Sequence, residues 1–164
     1  LFALTVRISF QASYQGNDLP QEMLAYAGGA ADLKPIRDRI EELAREKGKG
    51  AEPGVTIDSS LSWPWVWYLR DYPGVNYPDL GNATSPPQGD ILLVAIGHEG
   101  QVSPYLDRYG PGQKFRQIIW FPEEYKQWKA SELPKAARWW RDYFWNRKTS
   151  GPYYSTDGVA FFPK

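Results

Sequence analysis

The run Asp90-Ile91-Leu92-Leu93-Val94-Ala95-Ile96-Gly97 is apolar almost without a break. A strand with one solvated face alternates apolar and polar residues, whereas a strand covered on both faces reads as a continuous apolar run. The segment is therefore expected to be a central strand of a parallel sheet. Outward from it, Val55-Thr56-Ile57 reads as a short β-branched strand, Phe115 to Phe121 as another ended by Pro122, and Val159 to Phe162 as a last short one. Glu22 to Ala27 is short and apolar and ends in Gly28-Gly29, the pattern of a buried strand and a tight turn.

Helical periodicity lies between these runs. Asp32 to Lys47 places Leu33, Ile36, Ile40, Leu43 and Ala44 on one face, with Asp32 as the expected N-cap and Gly48 and Gly50 ending the helix. Ser131 to Arg147 gives a second long helix with an apolar stripe of Leu133, Ala136, Ala137, Trp140 and Phe144, and Arg138 paired with Asp142 on the other side. A short helix from Ser62 to about Arg70 has Pro64 in its first turn and is apolar on nearly every side, so it is expected to be buried. Val102 to Tyr109 has the length of one more short helix, and Asn76 to Gly89, rich in Pro, Gly, Asn and Ser, reads as a loop.

Strands alternating with helices argue an α/β fold: one doubly wound, Rossmann-like domain, its sheet largely parallel and covered by helices on both faces. A length of 164 residues suits a single domain. Residues 1–20 alternate loosely through Leu4, Val6, Ile8 and Phe10 and read as a linker or an edge strand, ahead of a soluble α/β domain over residues 21–164.

Composition removes several function classes. There is no cysteine, which excludes disulfides, thiolate metal sites and a cysteine nucleophile. One histidine cannot make a multi-histidine zinc site, and no metal or cofactor is expected. Nineteen basic residues balance nineteen acidic ones, so the basic excess of a nucleic-acid binder is missing. No apolar run reaches the about 20 residues that span a bilayer. There is no Gly-x-Gly-x-x-Gly after the first strand, no Walker A sequence and no Gly-x-Ser-x-Gly elbow. Aromatic residues, by contrast, make up 16% of the chain.

In an open α/β sheet, ligands bind beyond the carboxyl ends of the strands. That rule selects Asp58-Ser59-Ser60 after one strand and Gly97-His98-Glu99-Gly100 after another. Asp58, Ser59, Trp63, His98 and Glu99 are the candidate ligand-binding residues; none is assigned a catalytic role. His98 beside Glu99 has the makings of an acid–base pair, with a solvated loop histidine as the plainer reading. The tryptophans of Trp63-Pro64-Trp65-Val66-Trp67-Tyr68 admit two readings: exposed rings that stack on sugars or on a membrane edge, or core aromatics. Packing is the favoured one, because each ring buries roughly 150–250 Å².

The segment Trp63-Pro64-x-x-Trp67-Tyr68-Leu69-Arg70-Asp71-Tyr72-Pro73, preceded by Asp58-Ser59, resembles a family of polytopic membrane proteins. These are relatives of dolichyl-phosphate-mannose–protein mannosyltransferases described as flippase-activity-associated, and more broadly membrane glycosyltransferases of the GT-C type. Asn17 to Tyr26 resembles the family's entry into its soluble domain, and Asp32 to Lys47 its first helix, so the likeness covers most of residues 17 to 97. Ala27-Gly28-Gly29 departs from it, standing where a threonine-containing turn is expected.

The resemblance implies an extracytoplasmic domain on the cell membrane, following a transmembrane part that this chain lacks and that carries the catalytic acid. It implies a lipid-linked sugar donor, and as partners the protein's own transmembrane domain with glycan, lipid-linked sugar or acceptor protein, and no nucleic acid. The apolar start Leu1-Phe2-Ala3-Leu4 fits a chain that follows a membrane helix. The expected function is to assist acceptor or glycan positioning. The alternatives are a structural or protein-interaction module without a ligand, and a free-standing α/β enzyme using His98 and Glu99.

Overall fold

The computed structural model describes residues 2–14, 20, 27–48, 50, 52–149 and 151–164. Most of the expected strand at 22–27, and most of the family-like segment at 17–26, lie outside them. Among the described residues the principal elements are α1 (Phe2–Tyr14), β1 (Ala27–Gly29), α2 (Leu33–Lys47), β2 (Val55–Ile57), α3 (Ser62–Tyr68), β3 (Val75–Asn76), β4 (Ile91–Ala95), α4 (Glu99–Val102), β5 (Gln113–Trp120), α5 (Leu133–Asn146) and β6 (Tyr154–Phe161). They form two compact units, Leu1–Ala30 with Ile118–Ser155, and Ala31–Gln117 with Thr156–Lys164.

The larger unit corrects the fold class. Its strands are hydrogen-bonded in the order β5-β6-β4-β2-β3. β2 is parallel to both β3 and β4, but β4 is antiparallel to β6, with Leu93 opposite Ala160. The sheet is mixed, so neither the doubly wound order nor the largely parallel arrangement holds. The cause lies in the connections. β2 and β3 are joined through an α-helix of the βαβ kind, by α3. The last strand returns antiparallel beside β4 instead of extending the sheet at one edge.

The central strand itself is where the apolar run puts it. Ile91, Leu92, Leu93 and Val94 have no solvent exposure. On one face, Ile91 and Leu93 join Val55, Ile57, Phe115 and Ala160 beneath Leu33, Ile36, Ile40 and Leu43 of α2 and Trp65 of α3. On the other, Leu92 and Val94 pack with Val159, Phe161, Leu80, Val102 and Tyr109. Each such aliphatic side chain contributes about 1.5–3 kcal/mol on burial.

In the smaller unit, β1 pairs antiparallel with β5 from Ile118 to Trp120. α5 buries Trp139 and Tyr143 with Phe121, their rings stacked at 5.2 Å. The expected stripe lies mostly elsewhere, for Leu133 and Phe144 are exposed. Arg141, not Arg138, pairs with Asp142. The inward face is set one position earlier, by Trp139 and Tyr143, than the stripe through Trp140 and Phe144. Residues 2–14, read as a linker or an edge strand, are helical, and the alternating residues fall into two four-residue rows: Leu4 and Ile8 are half-buried, while Val6 and Phe10 stand exposed with Phe2 and Tyr14.

Asp32 makes no capping bond to α2. Its carboxylate accepts instead from Arg116: the backbone N–H at 3.0 Å, Nε at 3.1 Å and Nη2 at 3.3 Å. These bonds, the side-chain ones first, hold the Asp32 carboxyl below the usual carboxylate range. A carboxyl depressed in the folded state stabilises the fold above its unfolded value, about 3.9, and that contribution is lost as pH falls through the folded value. In urea unfolding, wild type is expected to exceed Asp32→Asn in stability near neutral pH, with the gap closing in acid below about pH 4. A gap that persists undiminished in strong acid would contradict the assignment.

Candidate functional site

Parallel register brings the two sequence-selected clusters together. Ile57 lies opposite Leu93, so the chain leaves β2 at Asp58 beside the last residues of β4. The Asp58 backbone N–H donates to Leu93 O at 2.8 Å, fixing that exit. A 3-10 turn at Ile96–His98 then carries the imidazole back over Asp58. His98 Nδ1 lies 2.7 Å from Asp58 Oδ2.

Asp58 is wholly buried. A buried carboxylate survives only if its oxygens are satisfied, and here both are. Oδ1 accepts from Ser60 N at 3.1 Å and Ser60 Oγ at 2.8 Å; Oδ2 accepts from Ala95 N at 3.4 Å and from His98. Because a carboxylate can only accept, the hydrogen between the two side chains sits on Nδ1. In the tautomer with the hydrogen on Nδ1 the lone pair is on Nε2, which makes no hydrogen bond among the described residues. A third of the His98 side chain is exposed (33%).

The turn Asp79-Leu80-Gly81-Asn82 supports the ring from beside. Asp79 caps it, accepting from Gly81 N at 3.0 Å and from Asn82 Nδ2 at 2.6 Å. A Cβ on Gly81 would stand 2.9 Å from both Cε1 and Nε2 of His98 and 3.2 Å from Asp79 Oδ1, so a glycine is needed for the ring to lie where it does. The following loop is tied down by Arg108, which donates to Pro87 O and Gly89 O, and by the Tyr109 hydroxyl, which donates to Gly89 O at 2.6 Å.

The other candidate residues fall differently. Ser59 is exposed and anchors by its backbone, donating N–H to Pro78 O at 2.8 Å. Glu99 is half-buried and is not the partner of His98; Asp58, 40 positions away, is. Trp63 is 64% exposed. It is extended (φ −93°, ψ 127°) ahead of a cis bond to Pro64, and no side-chain bond caps α3. The buried Gln117 donates Nε2–H to the Trp63 carbonyl at 2.6 Å.

The expectation of a wholly buried helix is thereby corrected. Trp65 and Leu69, four apart, fill the core, and Trp65 meets Phe115 edge to face at 5.9 Å. Val66, Trp67 and Tyr68 face outward with Trp63, and the Arg70 guanidinium lies 4.4 Å from the Trp67 ring centre.

Gln117, Asp79 and Gly81 were missed in the sequence. Gln117 alone carried a signal, a polar residue on the alternating row it shares with Phe115 and Ile119. Among the described residues, no group of three histidine, cysteine or acidic side chains is placed to hold a metal ion. No family model matches the chain, and neither a curated protein nor a solved structure matches it.

Asp58→Asn keeps the shape but sets an amide against donors, and is expected to lose about 1–3 kcal/mol in urea unfolding. Gly81→Ala, which displaces the ring and spares the carboxylate's other donors, is expected to lose about 1 kcal/mol or less. The reverse order of losses would contradict the anchoring described.

Proposed function

We propose that the chain is the extracytoplasmic soluble domain of a GT-C-like membrane glycosyltransferase, and that it positions glycan or acceptor for transfer from a lipid-linked donor. The observation that carries this reading is the outward aromatic face of α3. Trp63 and Trp67 are 64% and 58% exposed, in a segment whose apolarity argues for burial. Indole rings fixed in water-facing positions are suited to the apolar faces of sugar rings. Their backbone is held from below, by Trp65 and Leu69 in the core and by Gln117 on the Trp63 carbonyl, so little ordering remains to be done on binding.

The membrane setting rests on the Trp63-to-Pro73 motif. Among the described residues no helix is long and apolar enough to cross a membrane. In this reading the chain supplies no catalytic group of its own, and transfer chemistry belongs to the membrane part.

In the full-length protein, joint replacement of Trp63 and Trp67 by alanine is expected to lower sugar transfer about tenfold, equivalent to about 1.4 kcal/mol, without unfolding the domain. Transfer at the wild-type rate by the folded variant would favour a structural or protein-interaction module instead. A native gene without membrane helices would remove the glycosyltransferase setting altogether.

A further inference from the structure

The Asp58–His98 pair is separate from the aromatic face and has no part in the reading above. We propose that it is a recognition site for a hydroxyl of a neutral glycan, the hydroxyl donating its hydrogen to His98 Nε2; as to ligand class this rests on the proposed function.

Three observations lead there. The imidazole is polarised for accepting. Asp58 takes the Nδ1 hydrogen at 2.7 Å and is itself held by Ser60 and Ala95, so Nε2 offers a lone pair in a fixed direction. That nitrogen has no hydrogen-bond partner among the described residues, although the ring is packed against Gly81 closely enough to exclude a methyl group.

Second, the turn beside the ring, Asp79 to Asn82, also walls a cavity, which His98 itself does not line. Residues on both sides of Gly81 line a space of about 420 Å³, with Asn76, Asp79, Asn82, Thr84, Ser85 and Gln88 among its lining residues. Volumes of roughly 300–1,000 Å³ are usual for small-ligand sites. Amides, hydroxyls and a carboxylate with prolines between them suit a ligand that both donates and accepts along its length.

Third, the local charge selects against an anion. Asp58 lies on one side of His98 and Asp79 on the other. The Asp79 carboxyl is held below the usual range, first by the Asn82 side-chain amide and further by the backbone N–H of Gly81. A phosphate brought to Nε2 would meet this acidic pair, so the site suits the sugar or acceptor hydroxyl rather than the phosphate of a lipid-linked donor.

His98 is the only histidine, so its ring gives a single Cε1–H signal in a carbon–proton spectrum of the chain. Mannobiose, maltotriose and inorganic phosphate would be titrated separately. The expected result is a saturable shift with at least one of the sugars and none with phosphate. Asp58→Asn should weaken the sugar about tenfold, and Thr84→Ala, in the cavity wall away from the buried carboxylate, severalfold. A saturable shift with phosphate, or none with either sugar, overturns the proposal. Sugars that quench the exposed tryptophans but leave the His98 signal unmoved overturn this inference alone; sugars that affect neither remove the glycan reading with it.

Discussion

A carboxylate with no exposure to water has to be satisfied by the fold around it, and in the larger unit that carboxylate is Asp58. Its four donors come from two places: the turn that follows β2, through Ser60, and the end of β4, through Ala95 and His98. The parallel pairing of β2 with β4 is what makes those ends adjacent. Leaving such a group without partners costs several kcal/mol. The pair thus ties the position of the imidazole to the register of the central strands.

From that constraint the surrounding architecture follows in order. The exit at Asp58 sets the path through the short 3-10 turn into α3. α3 is then pinned by Trp65 and Leu69 on the core side, which leaves Trp63, Val66 and Trp67 facing water. The return at His98 needs a neighbour without a side chain, and Gly81 supplies it. The outward aromatic face of α3 and the Asp58–His98 pair are therefore carried by two segments that both start at strand ends.

The sequence made the local half of this legible. The continuous run at 91–94 gave a doubly covered strand, and the spacing of Leu33, Ile36, Ile40 and Leu43 gave α2 with its inward face. The strand-end rule picked out both Asp58 and His98, although it paired His98 with its neighbour Glu99. What it missed is nonlocal. The antiparallel insertion of β6 beside β4 leaves no trace in either strand's own pattern, so a mixed sheet read as a parallel one. Burial of α3 was overestimated because apolar residues on all sides say only that a helix is apolar, and coverage depends on what else the fold brings there. Likewise the glycine beneath His98 looks like any loop glycine until the ring is seen above it.

The Asp58–His98 bond is open to direct observation, because the chain has one imidazole. A long-range nitrogen–proton spectrum of the uniformly ¹⁵N-labelled chain in alkaline buffer reads which ring nitrogen carries the hydrogen. The hydrogen on Nδ1, with Nε2 bare, is the expected result, together with its loss in Asp58→Asn. The hydrogen on Nε2 in the wild-type chain would contradict the pairing and, with it, the site built on it.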